Sequence, residues 1–350
     1  MTKEQKIKNF DPNSVGQLNE GMYGLPFSVE ESDTVLVPVP WEVTVSYGSG
    51  TSEGPEAILE ASYQIDLYDP FIENAWQKGI ALDAINHEIK SKSDNMRRIA
   101  ARHIKELANG ADINDEERQR DLKTIREECL WMNNQVRERV LFFLKKNKYV
   151  GLVGGDHSTP LGMIQAMAQQ RGKFGILQID AHADLRDSYE GFEFSHASIM
   201  YNALKIEQVE RLVQVGIRDY CQEELDVIKK ENGRVVTFFD RDIKYAQFNG
   251  DSWDRICNRI IRELPQNVYL SFDIDGLDPK LCPNTGTPVA GGFEAEQILY
   301  LLEKVVNNGK QIIGFDLNEV SAGKSGNDWD ANVAARLLYR ITNLASYSCK

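Results

Sequence analysis

FGILQIDAHAD, residues 174–184, joins a short apolar run to a cluster of acidic and histidine side chains. The run 174–179 is short and mostly apolar, with isoleucines at 176 and 179, and predicts a buried strand. If the backbone stays extended beyond it, Asp180, His182 and Asp184 face the same way, and the alanines between them leave room for a metal ion. For this segment alone, the alternative is a loop of solvated acids that happens to contain a histidine.

Two further segments have the same form. GGDHS, residues 154–158, follows the apolar run 149–153, and SFDIDGLDP, residues 271–279, places Asp273 and Asp275 after the run 268–272. The two glycines of GGDHS let the backbone approach closely, so that His157 can reach inward. Asp156 either accepts a hydrogen bond from a ligand imidazole or caps a helix. Carboxylates with imidazoles and no cysteine suit Mn²⁺, with Ni²⁺ or Co²⁺ as alternatives, rather than a structural zinc ion.

Short apolar runs and amphipathic stretches alternate along the chain. This pattern predicts a parallel sheet covered by helices on both faces. We expect strands at 34–39, 149–153, 174–179, 212–215, 235–239, 268–272 and 311–315, and helices near 159–170, 196–206, 221–232, 251–263, 294–308 and 330–343. The carboxyl ends of parallel strands meet at one edge of a sheet. His157, Asp180, Asp273 and Glu319 each follow a different predicted strand, so the four should meet there.

Two segments lie outside this alternation. Residues 1–32 are polar and predict an N-terminal arm in front of a single catalytic domain, 33–350. Residues 88–148 are highly charged and predict two helices joined at 109–112, a helical elaboration that is either a solvated face or an oligomer contact. His87 and His103 belong to or adjoin this elaboration, where we expect surface positions.

Composition restricts the class of protein. The chain has 350 residues, 42% of them apolar, and a formal charge of -13. It can bury a large core, and its charge argues against nucleic-acid partners and favours a cationic or neutral ligand over an anionic one. The five cysteines are scattered without C-x-x-C spacing, and we find neither a signal peptide nor a membrane span. We therefore expect a cytoplasmic protein without a membrane partner.

No other catalytic motif competes with the metal motifs. G-x-S-x-G, the P-loop and G-x-G-x-x-G are absent, whereas two divalent ions bridged by carboxylates can activate water for hydrolysis. His196, fourteen positions after His182, is a candidate for proton transfer. Packing against the following helix is its alternative role.

With these residues in view, the chain resembles the ureohydrolase superfamily, the arginase and agmatinase group, from about Asp33 to the C-terminus. GGDHS, DAHADLR, SFDIDGLDP and a late D-x-x-E carry the resemblance. It implies a three-layer α/β/α sandwich with a central parallel sheet, a trimer or hexamer, and hydrolysis of a guanidino group to urea and an amine with two Mn²⁺ ions.

The resemblance also implies roles for individual residues. One metal ion would be held by His157, Asp180, Asp184 and Asp273, and the other by Asp180, His182, Asp273 and Asp275. Asp275 would also accept a proton from the attacking water. His196 would help to protonate the departing amine, and Glu319 would pair with the guanidinium.

Substrate choice is less well defined. DLRDSYEGFEFSHAS, residues 184–198, is similar to the agmatinase branch and lacks the Ser/Asn-rich loop of arginases. Trp41 and Trp329 stand in segments unlike those of common agmatinases. Each is either a core aromatic residue or a residue that lines the substrate pocket. For Trp329 we predict a contact with the substrate. These segments look similar to a nickel-dependent subgroup that hydrolyses free guanidine.

Alternative functions stay open at this point. Free guanidine, guanidinobutyrate, arginine and formimidoylglutamate are the alternative substrates. A non-catalytic metal-binding relative and a single-zinc deacylase belong to other classes, and the complete set of six ligands disfavours both.

Overall fold

The fold is built on one eight-stranded parallel sheet. The computed structural model describes residues 1–16, 21–323 and 328–349, and in this part the strand order is β2-β1-β3-β8-β7-β4-β5-β6. The strands are β1 (Thr34–Val39), β2 (Ile80–Leu82), β3 (Tyr149–Gly154), β4 (Phe174–Ile179), β5 (Val209–Ile217), β6 (Val235–Phe239), β7 (Asn267–Asp273) and β8 (Gln311–Asn318).

Helices cover both faces of this sheet. They are α1 (Lys3–Asn9), α2 (Gly54–Ser62), α3 (His87–Ala108), α4 (Glu116–Lys145), α5 (Leu161–Arg171), α6 (Ile199–Leu204), α7 (Gln222–Lys230), α8 (Asp240–Phe248), α9 (Trp253–Glu263), α10 (Ala295–Asn307) and α11 (Trp329–Ser348).

Two separate apolar cores show the layering. Val153 and Leu177 belong to the core that contains residues of α2, α9, α10 and α11. Their strand neighbours Leu152 and Ile176 belong to the core that contains residues of α3, α4, α5 and α6. Successive strand residues point to opposite faces, so both faces are buried and the three-layer α/β/α prediction is confirmed.

The N-terminal segment is anchored to this body. Met22, Tyr23, Leu25 and Phe27 are buried, and the ring of Tyr23 lies 5.1 Å from that of Tyr339 in α11. Residues 21–27 therefore contribute to the core, and the boundary at residue 33 stays a prediction.

The charged segment forms the two predicted helices. Asn86 caps α3 through bonds that its side chain accepts from Glu88 and Ile89, and Asp115 caps α4 in the same way. Helix α4 packs against β1, β3 and α5. In the described part of the chain, no helix is long and apolar enough to cross a membrane.

Candidate active site

Four neighbouring strands deliver the predicted site residues to one edge of the sheet. Strands β3, β8, β7 and β4 are adjacent in that order. His157 follows β3, Asp180 follows β4, Asp273 ends β7 and Glu319 follows β8. The polar side chains at this edge are nevertheless buried, since Asp180, Asp273 and His157 are each at most 3% exposed.

The first group of side chains surrounds one imidazole nitrogen. Nδ1 of His157 lies 3.0 Å from a carboxylate oxygen of Asp180, 3.0 Å from one of Asp184 and 3.2 Å from one of Asp273. The predicted ligands of one metal ion are thus brought together.

The second group shares Asp180 with the first. Nδ1 of His182 lies 3.0 Å from Oδ2 of Asp275 and 3.7 Å from Oδ1 of Asp180. Asp180, His182 and Asp275 offer ligand atoms close enough to hold one ion, as do His157, Asp180 and Asp273. Asp180 thus lies between the two positions, as expected of a bridging ligand.

Hydrogen bonds fix the orientation of the His157 ring. Its Nε2 lies 3.0 Å from Oγ of Ser271, and that hydroxyl donates to Asp316 at 3.0 Å. With the serine proton committed to Asp316, Nε2 is the donor, so Nδ1 of a neutral ring carries a lone pair. This buried Nδ1 has no hydrogen-bond partner and faces three carboxylates. A bound cation would satisfy both the lone pair and the carboxylates.

The electrostatics of the carboxyl groups point the same way. Burial, followed by the charges of Asp275 and Asp180, raises the pKa of Asp273 well above its usual value. Burial and Asp180 together raise the pKa of Asp184 to about 7. Crowded buried carboxyl groups disfavour ionisation unless positive charge is supplied. The six residues therefore fit a pair of divalent cations.

Ser271 and Asp316 are site residues that sequence reasoning missed. They pair in register across β7 and β8, and Asp316 is fully buried. The available signal was the alternation along β7, where Ser271 stands two residues before Asp273 and so shares its face.

Glu319 lies beside the loop that carries His157. Its Oε1 accepts a hydrogen bond from the backbone N–H of His157 at 2.8 Å, and the carboxylate is buried. Burial, with the charges of Asp273 and Asp156, raises its pKa well above the usual range. At residue 286 an added Cβ would sit 3.0 Å from Oε2, so Gly286 passes close to that oxygen. Glu319 is not among the residues that line the cavity described below.

Asp156 takes neither of its two predicted roles at an imidazole or a helix. Its carboxylate accepts hydrogen bonds from Ser158 in its own loop and from the backbone N–H of Val43. It thereby ties the His157 loop to the segment after β1.

A cavity of about 140 Å³ lies over the site. It is lined by Ser46, His182, Asp184, Arg186, Tyr189, His196, Ala197, Asp219, Tyr220, Glu224 and Thr287. His196 therefore shares the cavity with two metal-ligand candidates, His182 and Asp184. Enclosure of the ring, aided by positive charge at His182 and His157, lowers its pKa to about 3. Its imidazole is neutral at physiological pH.

The two tryptophans lie apart from this cavity. Trp41 is fully buried in the core. Trp329 begins α11, donates to the carbonyl of Lys280 and lines a different cavity with Tyr68 and Leu299. The structure does not bring Trp329, the predicted substrate contact, to the metal-ligand candidates.

Comparison with known proteins gives a consistent result. The model of the arginase family matches residues 32–343. The N(1)-aminopropylagmatine ureohydrolase of Thermus thermophilus is 33% identical over 90% of this chain and 91% of its own. The agmatinase of Bacillus subtilis is 26% identical over 88% and 90%. The crystal structure of the agmatine ureohydrolase of Thermoplasma volcanium superposes with a TM-score of 0.68 at 22% identity, covering 98% of this chain and 97% of that one.

Proposed function

The chain belongs to the arginase family, and from this premise we propose that it is an agmatinase-like ureohydrolase. It hydrolyses a guanidino C–N bond to give urea and an amine. The observation that carries this proposal is the pair of buried ligand groups that share Asp180 beneath a cavity lined by His182 and His196.

The six residues that would hold two divalent ions are His157, Asp180, His182, Asp184, Asp273 and Asp275. Their oxygen and nitrogen donors suit Mn²⁺, with Ni²⁺ as the alternative. Two such ions, when bound, would lower the pKa of a water molecule enough to make it a nucleophile near neutral pH.

Three side chains have roles beyond metal binding. Asp275 accepts the proton of the attacking water, and Thr287, which donates to its Oδ2 at 3.4 Å, helps to orient it. Glu319 receives the guanidinium at Oε2. That cation favours the ionised carboxylate and opposes the effect of burial on its pKa.

His196 is a proton relay rather than a resident acid. In the metal-free protein, burial and nearby positive charge lower its pKa to about 3. Bound cations would act in the same direction, so it holds no proton at neutral pH. It must take one up during the reaction before passing it to the departing amine.

The cavity mouth favours a substrate with an amine tail. Asp219 has 69% of its side chain exposed there. Glu224 is buried, and its two oxygens accept from the backbone N–H groups of Leu185 and Cys221, so Asp219 is the carboxylate available to an amine. Arg186 is the only lysine or arginine among the lining residues, and its Nε lies 4.0 Å from Glu224, which offsets its charge. If Arg186 turned from Glu224 toward the substrate, it would instead accept a carboxylate tail, which makes guanidinobutyrate the second candidate.

Assembly and location are part of the proposal. A homotrimer or homohexamer would follow the pattern implied by the resemblance. All five cysteines are free thiols, and this supports a reducing compartment, the cytoplasm.

The substrate is identified by measuring urea release from the purified protein, loaded separately with Mn²⁺ and with Ni²⁺. Agmatine, guanidinobutyrate, arginine and free guanidine form the panel, and glutamate release is followed with formimidoylglutamate. We expect the highest kcat/KM with agmatine or another guanidino amine. Exclusive cleavage of free guanidine would contradict the proposed amine tail, and no product from any compound would overturn the proposed function.

A further inference from the structure

Two loops contribute residues to the lining of the cavity above the metal-ligand candidates. The first wall loop is residues 41–52, which contributes Ser46, and the second wall loop is residues 186–198, which contributes Tyr189 and His196. The two loops touch, because Oγ1 of Thr44 lies 3.5 Å from Nδ1 of His196. The distance between them sets the space above the reacting group.

Helix α3 holds the first wall loop from behind. Nη1 of Arg97 donates to the carbonyl of Val43 at 3.1 Å and to that of Val45 at 2.6 Å. These carbonyls flank Thr44. One turn earlier, Oγ of Ser93 accepts from the backbone N–H of Glu42 at 2.8 Å. Ser93 and Arg97 are four residues apart and therefore share one face of α3.

The first wall loop is also fastened to itself. The carboxylate of Glu42 accepts from the backbone N–H groups of Gly50 at 2.8 Å and Ser52 at 3.0 Å. The two ends of the loop are therefore joined through Glu42.

Helices α3 and α4 together hold the second wall loop. Nε2 of His103, in α3, lies 2.9 Å from the carbonyl oxygen of Glu190, and its ring packs 5.2 Å from that of Phe192. From α4, Arg126 pairs with Glu193. A Cβ at Gly191 would meet Leu122 of α4 at 2.9 Å, so the loop is pressed closely against the helix.

The burial of His103 corrects the expectation from sequence. His103 was expected at the surface, but it is 1% exposed. Its partner Glu190 is 87 residues away along the chain, which is why the charged sequence around His103 gave no sign of the contact.

We propose that the α3–α4 pair is a brace that fixes the spacing of the two wall loops, and that Arg97 and His103 are the positioning residues through which it sets substrate selectivity. Neither residue lines the cavity; they act through Thr44 and the second wall loop. The role of Arg97 and His103 in substrate selectivity rests on the proposed function. Their role in holding the two wall loops at a fixed spacing does not.

The test compares Arg97→Met with Arg98→Met in the metal-loaded protein. The Met side chain keeps the length of the Arg97 stem but removes the donors to both carbonyls. Arg98 is the matched control, because it is exposed and bonds within its own helix to Asp94 and Asn95. Arg97→Lys restores a donor that can reach the carbonyls, and His103→Phe keeps the ring of residue 103 but not its hydrogen bond.

The first readout is hydrogen exchange of the two wall loops. We expect Arg97→Met to accelerate exchange within residues 41–52 by about tenfold, from the loss of hydrogen bonds to a charged donor. His103→Phe should accelerate exchange within residues 186–198. In Arg97→Lys the exchange rates of the first wall loop should return toward those of the wild type. In Arg98→Met they should equal those of the wild type. Unchanged exchange in Arg97→Met would refute the brace.

The second readout is the selectivity for tail length. Across guanidine, agmatine and longer guanidino amines, Arg97→Met should raise KM for the tailed compounds by about tenfold, with kcat and metal content retained. If exchange accelerates but the ranking of substrates stays that of the wild type, the role in selectivity is wrong.

Two further outcomes separate the proposals. A wild-type protein that cleaves no guanidino compound would overturn the proposed function, and the exchange readout would still test the brace. If Arg97→Met does not fold, Arg97→Gln takes its place. It keeps a donor for one carbonyl and should give a smaller change of the same kind, and wild-type exchange in Arg97→Gln would then refute the brace.

Discussion

His196, which is partly exposed in the cavity, differs from the metal-ligand imidazoles in its charge. Carboxylates outweigh the effect of burial at His157 and raise its pKa, whereas burial and the positive charges of His182 and His157 lower the pKa of His196 to about 3. A residue that sequence alone marks as a proton donor is therefore neutral before the reaction begins.

Replacing His196 by Asn should lower kcat by about 10²–10⁴, the usual contribution of positioned proton transfer, with metal content unchanged. The shape of the pH–rate profile between pH 5 and 8 should stay that of the wild type, because His196 does not titrate in that range. Loss of bound metal from the variant would recast His196 as structural. Loss of an acid limb near pH 6.5 would show that its pKa is not lowered.

The negative charge of Glu319, more than the shape of its side chain, should determine how well the guanidinium binds. Glu319→Gln keeps an oxygen that can accept from the backbone of His157, so the fold and the metal ions should persist. The variant loses the charge-assisted bond to the guanidinium, and kcat/KM should fall by about 10–100-fold, mostly through KM. Steady-state kinetics and metal analysis check this, and wild-type saturation behaviour would remove Glu319 from the substrate site.

The secondary-structure elements show what local sequence can predict. The apolar runs that became β3, β4, β7 and β8 were correctly predicted because both their faces are buried. Strand β2 was missed because it has three residues, too few for a periodic signal. Helix α2 begins with Gly54 and Pro55, and α8 follows β6 directly, so neither stood out.

Contacts between distant elements were not predictable from sequence. The pairing of Ser271 with Asp316 depends on the register of β7 and β8, and the burial of His103 depends on a loop of another element. The ligand motifs were readable because each lies within a few residues of its strand.

Close packing inside the sheet gives a prediction for a single element. A Cβ at Gly151 of β3 would lie 2.4 Å from the ring of Phe315 and 2.8 Å from Leu36. Gly151→Ala should destabilise the fold by about 1–3 kcal/mol, the usual cost of overpacking, and lower the melting temperature. Gly110→Asn is the control, because nothing lies within 4 Å of an added Cβ at Gly110 and Asn tolerates its positive φ. Equal melting temperatures for the two variants would contradict the packing described here.

For the whole molecule, the buried carboxyl groups make stability depend on metal and pH together. In the metal-free protein the pKa of Asp273 and Glu319 is raised and that of Asp184 is about 7, above the usual values near 4. The folded state then binds more protons than the unfolded state between about pH 4 and 7. The stabilisation from these groups is present at low pH and is lost as the pH rises through their folded-state pKa values.

We therefore expect the melting temperature of the metal-free protein to fall as the pH rises from about 4 to 7. His196, whose pKa is lowered, acts in the opposite direction, but Asp156 and Asp316, whose pKa values burial raises, in Asp316 to about 6, act in the same direction as the other carboxyl groups. The melting temperature of the metal-loaded protein should instead rise with pH over this range, because acid protonates the ligands and releases the ions. Melting curves across this pH range, with and without chelator, check the prediction. A metal-free protein that is most stable at pH 7 would contradict it.

We propose that the two ligand groups sharing Asp180 hold two ions that together support guanidino hydrolysis. The most direct test is to count the divalent ions per chain and to measure urea release in the same preparations of wild-type protein and His182→Ala. We predict two ions per wild-type chain, with urea release that is lost on chelation and regained on reloading. His182→Ala should bind fewer ions and release little urea. Full turnover by His182→Ala, or by a wild-type chain that holds one ion or none, would contradict the account.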